Sequence, residues 1–346
     1  MPQDIDFFLP FDTGSNPDTD RAREHHIAWA HGRGLVRSTA ALHRYRSWLL
    51  PELAAYAYPD VTGPDLDLVT DAVCLGFPLD DQFDGPLGRQ PAQAARLTGE
   101  LAAIAYREPG ARPALDVPIV TAYADVWRRS AEGMSPAWRR RAADNWARFF
   151  RAYVAEARNR RHRVALDEDS YVRLRRRAVG TASCFDLIER AHHFELPPAV
   201  HGGAELRELN RCAGDVVFLC NDVHSVEREE ARGDPHNIVL VRQRTTGCSR
   251  QRAVAWVREL VRERVERFLE VRAHAEGQCA ARWGLDARRS DLTRYLDGLC
   301  AWMAGNQAWG VASARYAAGS AGPDFVEDVT RPLSPPERVG TGGGPG

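Results

Sequence analysis

The chain has 346 residues, of which 44% are apolar and 27% charged, a composition typical of a globular protein with a sizeable core. Its net charge of −1 and isoelectric point near 6.8 argue against a general nucleic-acid-binding protein. The sequence contains no apolar run long enough to predict a membrane span, and its start lacks the basic and apolar regions of a signal peptide.

The first 18 residues contain Pro, Asp and Gly and predict an irregular N-terminal arm that packs on the body of the protein. Phe7, Phe8 and Phe11 are the side chains that could anchor this arm. The segment Asn16-Pro17-Asp18 predicts a turn followed by a helix start, since Pro fixes the turn and Asn or Asp can cap free N–H groups.

From residue 19 onward, apolar residues recur with the period of a helix, and Pro and Gly fall mainly between the helical runs. Strand-like alternation is nearly absent. We therefore predict an all-α fold, with one helical domain over residues 19–320. The predicted helices lie at roughly 19–33, 38–57, 64–81, 91–107, 116–130, 136–162, 168–179, 182–192, 204–231, 249–277 and 288–318.

The C-terminal residues 321–346 are rich in Pro and Gly, and we predict that this tail is disordered. The seven cysteines are irregularly spaced and form no Cys-x-x-Cys pair. They are simplest to interpret as free thiols in a reducing cytoplasm, so we expect a cytoplasmic protein.

The first segment with distinctive chemistry is Asp80-Asp81-Gln82-Phe83-Asp84, which follows an apolar helical run. Asp80 and Asp84 are four residues apart, so their carboxylates share one face of a helix. Like charges on one face repel each other unless a cation neutralises them, and Mg²⁺ prefers carboxylate and phosphate oxygens. Taken alone, the cluster fits a solvated acidic loop equally well.

A second polar segment follows about 140 residues later, where Asn221, Ser225 and Glu229 recur at four-residue spacing along one helix face. Each offers an oxygen ligand, and Arg228 could reach a phosphate oxygen of the same ligand. Alone, this stripe fits a polar helix face that ends at Gly233. Together, the two oxygen-rich segments predict a site that holds hard divalent cations against a diphosphate.

These motifs resemble those of class I terpene synthases, and in particular of the bacterial terpene cyclases. The aspartate-rich motif of that family is a double Asp followed by another acid, and its second motif, Asn-Asp-x-x-Ser-x-x-x-Glu, is matched in full from Asn221 to Glu229. The resemblance covers roughly residues 8–318. It implies a single class I terpenoid synthase-type helical bundle around a central apolar active-site cavity. Smaller matches in family-like order are Asn16-Pro17, Trp29-Ala30, Tyr58-Pro59, Glu156 to Arg160, Gly305-Asn306 and Arg315-Tyr316.

The resemblance also implies ligand roles. Asp80 is expected to bind two metals, with Asp84 supporting that site directly or through water. The stripe on the second motif is expected to bind a third, so that three Mg²⁺ ions are expected in all. Asp81 is expected to pair with Arg315 when the site closes. The residues expected to bind the diphosphate are Arg176, Arg228, Arg315 and Tyr316.

Members of the family carry a diphosphate-sensing Arg about 46 positions before the Asn of the second motif, where this chain has Arg175, Arg176 and Arg177. The family places a linker three residues after the sensor and an effector, often Gly, four residues after it. Arg176 fits this spacing best, with Val179 as linker and Gly180 as effector. We expect Gly180 at a helix break with its carbonyl turned into the pocket.

The activity that the resemblance implies is Mg²⁺-dependent ionisation of an isoprenyl diphosphate, with farnesyl diphosphate as the first candidate, followed by cyclisation to a sesquiterpene and release of diphosphate. Aromatic faces can stabilise the moving cation. We predict Phe77 and Trp302 for this role, although an aromatic residue on such a helix more often belongs to the core. Other aromatic candidates are Phe83, Phe149, Phe150 and Trp309.

Three alternatives remain. Geranylgeranyl diphosphate would make the protein a diterpene synthase. An isoprenyl diphosphate synthase would need a second aspartate-rich motif and lysines, whereas this chain has no Lys. A non-catalytic helical diphosphate-binding protein would not need every metal ligand and diphosphate contact of the family, whereas this chain carries them all. We expect a monomer or homodimer.

Overall fold

The computed structural model describes residues 4–283, 289–317 and 327–331, with the side chains of 278–283 and 289–290 excepted. Over these ranges the secondary structure is helical, without strands, as predicted. Two short 3₁₀ helices lie at Pro86–Arg89 and Ala314–Tyr316. The α-helices are α1 Thr19–Gly32, α2 Thr39–Ser47, α3 Leu50–Ala57, α4 Gly63–Asp84, α5 Pro91–Ile104, α6 Pro118–Ala131, α7 Pro136–His162, α8 Glu168–Ala178, α9 Thr181–Ala191, α10 Pro198–His201, α11 Ala204–Ala231, α12 Ile238–Thr246, α13 Arg250–Trp283 and α14 Arg289–Ala312.

The helix starts follow familiar sequence signals. Each helix from α3 to α7 has Pro in its first turn, where the missing N–H is not needed. Side-chain caps begin three others: Ser38 accepts from the N–H of Ala41, and Asp167 from that of Ser170. Asn237 accepts from the Val239 N–H and starts α12. None of the described helices is both long and apolar enough to cross a membrane.

The predicted helices differ from the observed ones mainly in three places. The predicted helix over 38–57 is broken at Leu49, whose φ of 52° places it in the left-handed region, so α2 and α3 are separate. Helices α10 and α12 were not predicted, because α10 has only four residues and the apolar residues of α12 are four consecutive ones, which show no helical period.

Helix α14 packs closely against α3 and α11. A Cβ on Gly305 would lie 2.8 Å from the Cβ of Tyr56 on α3. A Cβ on Gly310 would lie 2.5 Å from the ring of His224 on α11. Both contacts are closer than real Cβ atoms allow, so only Gly permits α14 to approach α3 and α11 this closely.

The N-terminal arm is anchored by two of its three aromatic residues. Phe7 is buried and its ring lies 6.2 Å from that of His224, and Phe11 lies 6.0 Å from Phe268. Phe8 is exposed and does not contribute.

The predicted domain end at residue 320 and most of the predicted tail lie outside the described residues. The prediction of disorder does not hold for residues 327–331, which pack on the body. The Glu327 carboxylate accepts from the backbone N–H groups of Arg37 and Ser38, and Val329 is fully buried. The Gln82 amide donates to the Glu327 carbonyl at 3.2 Å, which ties this segment to the aspartate-rich end of α4.

We expect Glu327→Ala to lower the free energy of unfolding by about 1–3 kcal/mol, because the backbone N–H groups of Arg37 and Ser38 lose a buried, charged acceptor. Chemical denaturation monitored by circular dichroism measures the change, with Glu108→Ala, at an exposed loop position, as the control. Equal stability of the two variants would show that the segment is not held by this carboxylate.

Candidate active site

A cavity lies between α4, α7, α11 and α14, with the junction of α8 and α9 in its wall. One part of the wall is apolar and partly aromatic, and another carries carboxylate, amide, hydroxyl and guanidinium groups. The apolar and aromatic lining includes Leu53, Ala72, Val73, Phe77, Trp146, Phe149, Val179, Val217, Trp302 and Trp309. The polar lining includes Asp80, Asp84, Tyr153, Glu156, Arg160, Arg175, Asn221, Ser225, Arg228, Glu229, Asn306, Arg315 and Tyr316.

The aspartate-rich segment forms the last turn of α4, so its acids lie on a helix and not on a loop. Asp80, Asp81 and Asp84 each bring a carboxylate oxygen within 4.8 Å of the other two. Asp80 and Asp84 line the cavity, whereas Asp81 is buried beside it. The spacing argument therefore predicted correctly which two carboxylates share a face.

The charges of these acids are only partly balanced. Burial and the charge of Asp80 raise the pKa of Asp84 to about 6. Burial also raises the pKa of Asp80. Burial opposes ionisation of Asp81 as well, but Arg315 and Arg228 overcome it and hold the pKa of Asp81 below its usual value. A divalent cation at Asp80 and Asp84 would relieve this crowding of like charges, so these residues fit a metal site.

The second motif lies on α11, and its three predicted ligands all line the cavity. Among the residues that the structure describes, the buried Ser225 hydroxyl has no hydrogen-bond partner, so it is free to bind a ligand. Both ends of the Asn221 amide are hydrogen-bonded: Oδ1 accepts from Arg175 Nη2 and Nδ2 donates to the Tyr316 hydroxyl, both at 2.8 Å. The donor set of amide, hydroxyl and carboxylate oxygens fits a hard cation.

Glu229, the third member of this stripe, is positioned by Asn237, a residue for which no role was predicted. Asn237 Nδ2 donates to Glu229 Oε2 and to the Asp222 carbonyl, each at 2.6 Å. Burial and the charge of Asp222 raise the pKa of Glu229 well above its usual value. The signal that could have identified Asn237 is its position as the cap of α12.

Arginines bring the two motifs together across the cavity. Arg228 Nη2 on α11 donates to Asp81 Oδ1 at 2.7 Å and lies 3.4 Å from Asp84 Oδ2. Arg232, one turn further along the chain, donates to Asp84 Oδ2 at 2.6 Å and was not predicted. The two acidic segments therefore face each other, as their chemistry suggested.

The Arg315-Tyr316 pair follows α14 and reaches the same site. Arg315 is 2% exposed, and its Nη2 donates to Asp81 Oδ1 at 2.7 Å and lies 3.8 Å from Asp80 Oδ2. The structure thus contains the Asp81–Arg315 pair that was expected on closure. The Tyr316 hydroxyl accepts from Asn221, so this pair contacts both motifs.

Arg176, the residue that family spacing indicated as the diphosphate sensor, does not line the cavity. Arg176 forms a two-bond ion pair with Asp215, at 2.7 Å for each bond, away from the cavity lining. Arg175 lines the cavity instead, where it donates to Asp222 Oδ1 at 2.9 Å and to Asn221 Oδ1 at 2.8 Å. Neighbouring residues on a helix point about 100° apart, so one position decides which partner is reached.

The break between α8 and α9 is at the predicted place. Gly180 has a φ of 74°, and a Cβ there would lie 3.1 Å from the Phe149 ring, so a larger residue would be strained. Its carbonyl accepts from the Ser183 N–H at 3.1 Å within the first turn of α9. Val179 and Gly180 both line the cavity.

The aromatic candidates divide into two groups. Phe77, Trp302, Phe149 and Trp309 line the cavity. Phe83 and Phe150 are buried in the core, where Phe83 stacks on Tyr153 at 4.2 Å between ring centroids. Trp146 and Tyr153 also line the cavity, and no periodic pattern in the sequence separates them from core aromatics.

A family model and several relatives of known function match this chain. The family model described as "Terpene synthase family 2, C-terminal metal binding" matches residues 71–267. The chain is 38% identical over 325 residues to pentalenene synthase of Streptomyces avermitilis, covering 92% of this chain and 94% of the relative. It is 37% identical to a (−)-beta-caryophyllene synthase of Saccharothrix espanaensis, covering 93% of this chain and 91% of the relative.

Solved structures of similar proteins share the fold. A crystal structure of a-eudesmol synthase superposes with a TM-score of 0.83 at 32% identity, covering 90% of this chain and 100% of that one. Germacradien-4-ol synthase from Streptomyces citricolor superposes with a TM-score of 0.80 at 35% identity, covering 90% and 99%.

Proposed function

The chain belongs to terpene synthase family 2, whose members are enzymes with a metal-binding C-terminal region, and on this premise we propose that it cyclises farnesyl diphosphate to a sesquiterpene. Two relatives, the (−)-beta-caryophyllene synthase and a 7-epi-alpha-eudesmol synthase of Streptomyces viridochromogenes, carry "(2E,6E)-farnesyl diphosphate cyclizing" in their names. The second is 33% identical over 326 residues.

One observation carries the proposal. Both oxygen-rich motifs line the same cavity as the guanidinium groups of Arg175, Arg228 and Arg315, and another part of its wall is apolar and aromatic. The oxygen-rich motifs and arginines suit a diphosphate, and the apolar and aromatic wall suits an isoprenyl chain. This juxtaposition also distinguishes the site from a simple diphosphate-binding protein, which has no use for the apolar wall.

The proposed ligands are three Mg²⁺ ions, held by Asp80 with the support of Asp84 and by the α11 stripe of Asn221, Ser225 and Glu229. Bound there, the metal would supply Lewis-acid stabilisation of the departing diphosphate. Asp81 takes a different role, since its oxygens are already bonded to Arg228 and Arg315. It orients those guanidinium groups toward the position where negative charge develops.

The protein's own groups carry out the rest of the reaction. Arg175, Arg228, Arg315 and Tyr316 donate hydrogen bonds to the diphosphate as its bond to the allylic carbon breaks. The apolar wall excludes water from the allyl cation that remains. The faces of Phe77 and Trp302 stabilise the positive charge as it moves along the chain. Loss of a proton or capture of water by the last cation ends the reaction.

Arg175 is the proposed diphosphate sensor in place of Arg176. Its guanidinium lies between Asp222 and the Asn221 oxygen, so it is already in contact with a proposed metal ligand. Val179 and Gly180 follow Arg175 by four and five residues, one more than the family spacing, and they remain the proposed linker and effector at the junction of α8 and α9. Movement of Arg175 toward the diphosphate would pull on this junction and on the cavity wall.

The test is incubation of the purified protein with geranyl, farnesyl and geranylgeranyl diphosphates, with Mg²⁺ or with EDTA, followed by gas chromatography–mass spectrometry. A cyclic C15 product from farnesyl diphosphate, absent with EDTA, is expected. A product from geranylgeranyl diphosphate alone would instead make the protein a diterpene synthase. Absence of product from every substrate would favour the non-catalytic diphosphate-binding alternative. The monomeric or homodimeric state and the cytoplasmic location stay predictions.

We expect Asn237→Ala to weaken Mg²⁺-dependent binding of inorganic pyrophosphate by about tenfold, because residues that orient a metal ligand typically contribute this much to affinity. Isothermal titration calorimetry measures the affinity. Asn210→Ala is the matched control, since Asn210 lies on α11 outside the cavity lining and accepts a hydrogen bond from the Tyr295 hydroxyl. Equal affinities of the two variants would show that Glu229 does not need Asn237.

A further inference from the structure

Trp48 lies outside the cavity lining, at the break between α2 and α3, yet it contacts a residue of the site directly. The Arg315 guanidinium carbon lies 4.5 Å from the centroid of the Trp48 ring. It also lies 5.1 Å from the centroid of Phe77. Arg315 is thus held by two aromatic rings in addition to its ion pair with Asp81.

The main chain of Trp48 is fixed by the same helix end that carries Arg315. Its carbonyl accepts two hydrogen bonds at 2.8 Å, from the Trp309 indole N–H and from the Ser313 hydroxyl. The Ser313 oxygen in turn accepts from the backbone N–H of Arg315 at 3.1 Å. The left-handed conformation of Leu49, with φ of 52°, ends the helical course of the chain at this carbonyl.

This arrangement determines where the Arg315 guanidinium can lie. Arg has many rotamers, and ordering its side chain costs conformational entropy. An aromatic face, with Trp the most favourable, attracts a guanidinium at this distance. Hydrogen bonds through Ser313 tie the backbone of Trp48 to the backbone of Arg315. The position of the Trp48 ring relative to Arg315 is therefore set before any ligand binds.

We infer that Trp48 is a positioning residue for Arg315 and raises the affinity of the site for the diphosphate group. The inference rests on the proposed function, in which Arg315 donates to that group. Trp48 does not line the cavity, so its effect would pass through the guanidinium and not through contact with the isoprenyl chain.

The test compares Trp48→Leu, Trp48→Phe and the wild-type protein. With inorganic pyrophosphate and Mg²⁺ in isothermal titration calorimetry, Trp48→Leu is expected to bind about tenfold more weakly, and Trp48→Phe about threefold more weakly, since Phe retains a smaller π face. In steady-state kinetics with farnesyl diphosphate, KM should rise more than kcat falls. If Trp48→Leu does not fold, Trp48→Met takes its place.

A double-mutant cycle separates positioning from general loss of structure. In an Arg315→Gln background, Trp48→Leu should weaken pyrophosphate binding no further, because its effect acts through Arg315. Trp138→Leu, which removes another buried Trp at the start of α7, should leave pyrophosphate affinity within about twofold of wild type. Melting temperatures of all variants are measured in parallel.

The outcomes are distinguishable. If Arg315→Gln binds pyrophosphate as tightly as wild type, the assignment of Arg315 in the proposed function fails. If Arg315→Gln weakens binding but Trp48→Leu does not, the inference about Trp48 alone is overturned. It is also overturned if Trp48→Leu and Trp138→Leu lose affinity equally, or if the losses from Trp48→Leu and Arg315→Gln simply add.

Discussion

Replacing Asp80 with Ala is expected to lower kcat/KM for farnesyl diphosphate by about 100- to 1,000-fold, the range typical for loss of one group that stabilises developing charge. Asp80 lines the cavity, so its carboxylate is available to a cation. Burial raises the pKa of Asp80, and a bound cation would offset this effect by stabilising the ionised carboxylate. Product formation measured by gas chromatography at several Mg²⁺ concentrations tests this expectation.

Gln82→Ala is the matched control for this change. Gln82 lies in the same turn of α4, but its amide donates to the Glu327 carbonyl on another side of the helix. Its loss should change kcat/KM by less than about threefold, as for substitutions away from the reacting groups. Unchanged Mg²⁺-dependent turnover in Asp80→Ala would show that the aspartate-rich segment does not hold the metal.

A pair of neighbouring variants gives the second large effect. We expect Arg175→Gln to lower kcat/KM by about 100-fold or more, because a partly buried cation that lines the cavity and contacts Asn221 is lost. Arg176→Gln should change kcat/KM by less than about threefold, since its partner Asp215 lies outside the cavity lining. Arg264 remains bonded to Asp215 at 3.1 Å in that variant.

Thermal unfolding by circular dichroism accompanies these kinetics, because Arg175→Gln also leaves Asp222 without one of its partners. Asp222 keeps the hydroxyl of Tyr171 and the N–H of Ile238, so the variant should fold. Loss of turnover in Arg176→Gln, with Arg175→Gln active, would restore the assignment that family spacing suggested.

The choice between Arg175 and Arg176 shows what residue spacing can and cannot resolve. Family spacing, counted back four residues from Gly180, indicated Arg176. The position of each Arg around the axis of α8 indicates Arg175 instead. Tyr171 and Leu174 are the buried residues of α8, and Arg175 falls four residues after the first of them on the same face. The apolar pattern of α8 therefore indicated that Arg175 shares the inward face of this helix. That pattern was better evidence than the position of Gly180.

The shared face of each oxygen-rich motif was predictable because four-residue spacing on a helix places side chains on one face whatever the tertiary structure. Partners that are distant in sequence were not. Arg232, Asn237 and Trp48 act through contacts that depend on how α4, α11 and α14 pack together. Nothing in the local sequence around Trp48 indicates that a guanidinium from residue 315 lies over its ring.

Two features of the fold were missed for a related reason. The pattern over 38–57 remains helical in period across Leu49, although Pro51 marks the start of a new helix. The segment at 327–331 has a disordered composition, yet it is held by hydrogen bonds from residues 37, 38, 82 and 119. Local composition does not register such long-range contacts.

The most direct test of the account is a crystal structure of the protein with Mg²⁺ and inorganic pyrophosphate. The account predicts metal ions bound by Asp80 and by the stripe of Asn221, Ser225 and Glu229, with the diphosphate between them. It also predicts that Arg175, Arg228, Arg315 and Tyr316 contact the diphosphate and that Arg176 stays with Asp215. A diphosphate bound elsewhere, or metals that avoid either motif, would contradict it.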